Sequence, residues 1–143
     1  MENENEKKEM SVDELRTLIM GKTEEIFNLG NGVEVTLKEL TQSELLKIEQ
    51  ELAKRNLGIG TPVYNTEYKI LKMVYALKEF RVNGAKVNLE HDYEAKEKFL
   101  KSLGEGVVLG LTIEYTNILG QKLDQIKKKN LDTTLTQGSG GKY

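Results

Sequence analysis

Ile26-Phe27-Asn28-Leu29-Gly30-Asn31-Gly32-Val33-Glu34-Val35-Thr36-Leu37, followed closely by Leu40-Thr41-Gln42-Ser43-Glu44-Leu45, is the stretch that decides the fold. Phe27 and Leu29, then Val33, Val35 and Leu37, alternate with polar neighbours, the two-residue period of a strand with one buried face. Gly30-Asn31-Gly32 between the halves tolerates positive φ, as a tight hairpin turn requires. Thr41 and Glu44 are then spaced as a capping box, in which each side chain satisfies the other residue's backbone N–H, so a helix starts at Gln42. Leu45, Ile48, Leu52 and Ala53 carry that helix along one stripe until Asn56, Gly58 and Gly60-Thr61-Pro62 break the pattern.

On the N-terminal side, Ser11-Val12-Asp13-Glu14-Leu15 offers an N-cap and acids in the first turn, with Leu15, Leu18 and Ile19 on one face of a short helix. On the C-terminal side, Ile70, Met73, Val74 and Leu77 recur at helical spacing and predict a helix over about 65–79. Val82-Asn83-Gly84-Ala85-Lys86-Val87 holds the preferred two-residue turn and predicts a second hairpin. Asp92 caps a helix with the stripe Ala95, Phe99, Leu100 and Leu103, ended by Gly104. A last helix of about 24 residues runs from near Glu105 through Val108, Leu111, Tyr115, Ile118, Leu119 and Ile126 to Lys127-Lys128-Lys129, whose cations oppose the negative end of the helix dipole. The expectation is an α+β fold, a mainly helical single domain with one or two short antiparallel β-hairpins. Its boundaries read as a flexible acidic arm over 1–10, the folded domain over 11–130 and a flexible Gly-rich tail over 131–143.

Composition narrows the function classes. The 143 residues carry 21 basic and 23 acidic side chains, a net charge of -2 that disfavours a general nucleic-acid binder. Charge divides unevenly: residues 1–71 hold 9 basic and 14 acidic groups (-5), residues 72–143 hold 12 and 9 (+3). With no cysteine there is no disulfide framework, thiol nucleophile or thiolate metal site, and the reading is a protein of the cytoplasm. Met1 to Met10 holds no apolar run that would serve as a signal peptide, and no segment reaches the roughly 18 apolar residues of a membrane span.

The chemistry-bearing residues are few. His91 is the only histidine and lacks the partners of a zinc or general-base site, so it reads as a surface turn residue. Glu24 with Glu25, Glu49 with Glu51, and Glu94 with Glu97 fall on polar edges and read as solvating charges. Gly58-Ile59-Gly60-Thr61 lacks the Gly-Lys-Ser/Thr ending of a phosphate cradle. Tyr64, Tyr68, Tyr75, Tyr93 and Tyr115 are not interleaved with arginine and read as core or core-edge residues rather than base-stacking platforms. Gly106 and Gly110 have the spacing of a close helix crossing, read as intramolecular. The glycines from 104 to 120 weaken the last helix and make it the preferred partner-dependent element. No catalytic residue, cofactor site or metal site is expected, so an enzyme is disfavoured.

The acidic N-terminus, the hairpin Ile26 to Leu37 and the helix opened by Leu40-Thr41-Gln42-Ser43-Glu44-Leu45 together resemble the small assembly chaperones of contractile and long-tailed bacteriophages. Tyr68-Lys69-Ile70-Leu71-Lys72-Met73-Val74-Tyr75-Ala76-Leu77 leading to Val82-Asn83-Gly84, then a helix ending Phe99-Leu100-Lys101-Ser102-Leu103, is similar to the same proteins, and the resemblance spans roughly residues 24–128. It implies a non-enzymatic protein of the host cytoplasm that binds an unassembled tail or baseplate component and is absent from the finished particle. The alternative is a small structural adaptor retained in the virion. Under either reading the partner is a phage tail or baseplate protein, with no nucleic acid and no membrane, and self-association is left open. The expected contact surface is the face of the last helix around Val107, Leu111, Tyr115 and Ile118, with the hairpin edge Val33, Val35 and Leu37 as second choice for strand addition.

Overall fold

Both Asn-Gly dipeptides turn hairpins. In the computed structural model, which describes residues 9–21, 23–88 and 92–137, Asn31 and Gly32 sit at φ 55° and 74°, and Asn83 and Gly84 at 50° and 86°. Positive φ at both central residues matches the twist of the strands they join. The first turn links β1 (Glu24–Gly30) to β2 (Val33–Lys38), and the second links β3 (Leu77–Val82) to β4 (Ala85–Asn88). The hairpins merge into one antiparallel sheet of order β1-β2-β3-β4, with Val35 opposite Phe80 and Leu37 opposite Leu77 across the central seam. At one end of the sheet the turns lie side by side: the Asn83 N–H donates to the Gly32 carbonyl at 2.9 Å, and a Cβ on Gly32 would stand 2.1 Å from the Asn83 side chain.

Among the described residues five helices accompany the sheet: α1 (Val12–Met20), α2 (Gln42–Lys54), α3 (Pro62–Ala76), α4 (Tyr93–Lys101) and α5 (Glu105–Gln137). The expected mainly helical α+β fold is the one observed. A reciprocal capping box at Thr41 with Glu44 starts α2, as its spacing predicts, and the expected Ser11 N-cap of α1 is also a reciprocal box, with Glu14. α3 is the hub, packing against α2, α4, α5 and β3 and burying Ile70, Leu71, Met73, Val74 and Ala76. Around it gather Val35, Leu37, Ile48, Leu52, Leu77, Leu100, Leu111, Tyr115 and Ile118. The other face of the sheet is a polar layer of paired charges, Lys78 with Glu24 and Glu79 with Arg81 and Lys86.

Three boundaries differ from expectation. α3 starts at Pro62 and stops at Ala76, not over 65–79, because Thr61 is its N-cap and Pro62 occupies the first turn, where its missing N–H costs nothing. Leu77 leaves the helix because it pairs with Leu37, and Lys78 bulges out of the register beside it. α5 is 33 residues long, about 50 Å, and passes through Lys127-Lys128-Lys129 to Gln137. Those lysines therefore do not sit at a helix C-terminus, the dipole explanation for them fails, and helical backbone extends past the expected domain limit at 130. His91, residues 1–8 of the acidic arm and residues 138–143 of the tail lie outside the described residues.

Candidate interaction surface

Most residues expected to meet a partner instead hold the fold together. Val35 and Leu37 have no exposed surface, and their strand lies inside the sheet between β1 and β3, so it offers no edge for strand addition. The free edges are β1 and β4. Val33 is half-buried against the core. On α5, Leu111, Tyr115 and Ile118 face inward, and of the expected cluster only Val107 is exposed. Tyr115 is a structural anchor: its hydroxyl accepts the Leu40 N–H at 3.1 Å, tying α5 to the entry of α2, and burial pushes its phenol pKa up. Lys72 stands 5.7 and 5.4 Å from the Tyr68 and Tyr115 ring centres, roofing that contact with a cation. Gly106 and Gly110 cross no helix of their own chain, since a Cβ at either meets nothing within 4 Å.

Exposed apolar surface lies elsewhere. α1 buries no residue, and its Val12, Leu15, Leu18 and Ile19 are 81%, 49%, 67% and 71% exposed. That is an amphipathic helix whose apolar face is largely uncovered. Its C-terminal end is held to the body where Lys122 of α5 donates to the Met20 carbonyl and pairs with Glu39 at 3.2 Å. A cleft of about 140 Å³ remains there, lined by Leu18, Ile19, Met20, Ile118 and Ile126. α5 adds Leu109, Leu119, Leu123 and Ile126, all exposed.

Charge is concentrated in an ion cluster that sequence reading missed. Arg55, just past α2, bonds Glu51 at 3.1 Å, Glu67 of α3 at 2.7 Å and both carboxylate oxygens of Glu97 of α4 at 2.9 Å. Lys101 joins the same carboxylates, at 2.9 Å to Glu97 and 3.1 Å to Glu67. The Arg55 hydrogen bonds hold Glu97 down to about pKa 2, against the partial burial that would raise it. Glu97, with Glu67, is thus a clamp between three helices rather than a solvating charge, while Glu51 bonds Arg55 from within its own helix. Only the one-turn spacings of Glu51 to Arg55 and Glu97 to Lys101 were visible beforehand; their convergence is tertiary.

Among the described residues, no group of three or more His, Cys, Asp or Glu is placed to hold a metal ion, and no helix is long and apolar enough to cross a membrane. The arrangement offers paired surface charge, a rigid ion clamp and uncovered apolar helix faces. No protein-family model, curated protein or solved structure matches the chain.

Proposed function

We propose that this protein is a non-enzymatic assembly chaperone that holds an unassembled phage tail or baseplate component until the correct neighbour displaces it. The resemblance in element order supplies the client class. The observation that carries the reading is α1, whose apolar face is largely open while the rest of the domain packs around α3. Contiguous exposed apolar helix surface marks an interaction site. An amphipathic helix docked by one end suits a transient contact: it engages a client groove through Leu15, Leu18 and Ile19 without unfolding the domain behind it.

The test is quantitative mass spectrometry of a producing lysate and of the particles purified from it. A chaperone is abundant in the lysate and absent from particles, whereas a fixed copy number in particles assigns the structural adaptor role instead. Leu15→Glu with Leu18→Glu should lower recovery of the tail component bound to the chain at least about tenfold while leaving the fold intact. Unchanged recovery removes α1 from the contact.

A further inference from the structure

Two apolar stripes run along α5. Leu111, Tyr115 and Ile118 form the first and are buried in the core. Leu109, Thr112, Thr116, Leu119 and Leu123 form the second, repeating every three and four residues about 100° round the helix from the first. Leu109, Leu119 and Leu123 are 55%, 38% and 51% exposed, so this stripe is unpartnered within the chain. The two threonines at its middle are already satisfied: Thr112 donates to the Val108 carbonyl and Thr116 to the Thr112 carbonyl, each at 2.9 Å. Covering the stripe therefore strands no hydroxyl.

Its charges say what covers it. Glu105 stands at the N-terminal end of the stripe and Lys127 at the far end, neither of them in an ion pair among the described residues. Acid at one end and base at the other make the surface self-complementary when a copy is turned end for end. A parallel copy would instead set Glu105 against Glu105 and lysine against lysine.

We infer that α5 pairs antiparallel with α5 of a second copy of this chain, about a two-fold axis at Thr116. Leu109 of one copy then meets Leu123 of the other, Thr116 meets Thr116, and Glu105 faces Lys127. The same residues serve on both sides, as a two-fold interface demands. The pairing also engages the C-terminal half of α5, on a face turned away from the one where Lys122 and Ile126 meet α1. That half runs along the second copy's groove between α3, α4 and the start of α5, a cavity of about 540 Å³ lined in part by Ile70, Leu103, Val108 and Leu109. α1 takes no part, so the inference stands apart from the client reading and is tested without any client.

The experiment uses the purified full chain alone. Sedimentation equilibrium should give about twice the 16.2 kDa chain mass. Leu109→Glu with Leu123→Glu should weaken association at least about 100-fold with helical circular dichroism unchanged. Glu105→Lys should loosen the dimer about tenfold, and adding Lys127→Glu should restore it. Because the chain has no cysteine, direction is read by cross-linking. Thr116→Cys should form a disulfide dimer with itself under mild oxidation, whereas Leu109→Cys should do so only when mixed with Leu123→Cys. A wild-type monomer at about 100 µM overturns the proposal. So does a dimer indifferent to the glutamates, or Leu109→Cys cross-linking to itself as readily as Thr116→Cys.

Discussion

Glu97 and Tyr115 show how single side chains decide what this domain tolerates. The guanidinium of Arg55 holds the Glu97 carboxyl at about pKa 2, below its ordinary 4.5, so the folded state binds this proton more weakly than the unfolded chain does. The cluster's contribution is complete above about pH 4.5 and disappears as pH falls toward 2. Glu97→Gln should therefore lower the urea midpoint at pH 7 and flatten its dependence between pH 5 and 2, which denaturation curves across that range will check. Lys96 is a fully buried charge, donating at 2.7 Å to the carbonyl of Leu77, the residue at which α3 gives way to β3. Neither role was legible in the chain. Glu97 looks like any helical surface acid, and Lys96 differs from its lysine neighbours only in where the helix face turns. Tyr115 was read as core or core-edge and also as contact surface, and the Leu40 N–H on its hydroxyl settles it as core.

At the scale of elements, local chemistry was readable and its partners were not. Both hairpins, the Ser11 cap of α1, the capping box of α2 and the Asp92 cap of α4 follow from short-range spacing and appear where that spacing puts them. β2 was placed correctly as a strand but wrongly as an edge, because a period of two states which face is buried and nothing about which strands flank it. α5 was cut short because its three lysines imitate a C-terminus. Its two adjacent apolar stripes also blur the single amphipathic face by which a helix is recognised. One consequence is measurable. Gly110 lies in the interior of α5 with nothing near the position of a Cβ, and it sits away from the outer stripe. Gly110→Ala should stabilise the domain by about 0.5–1 kcal/mol in urea denaturation, since alanine removes backbone entropy without a clash.

For the whole molecule, burial is graded outward from α3. Hydrogen exchange should follow that gradient: amides of β2 and α3 slowest, those of α1 fastest, with the part of α5 beyond Ile126 close to α1. Exchange measured by mass spectrometry on the intact chain checks this order, and protection of α1 equal to that of α3 would contradict it. The order of strands has a further effect, on synthesis. Each hairpin closes locally, but the sheet is joined along β2 and β3, and residues 39–76 separate them in the chain. A two-stranded ribbon is marginal by itself. While a ribosome makes the intervening segment, β2 stays an open edge carrying Val33, Val35 and Leu37, for about 2–8 s at 5–20 residues per second. The strand most deeply enclosed in the finished domain is the one the nascent chain leaves unguarded longest, and translation speed through α2 and α3 sets the length of that interval.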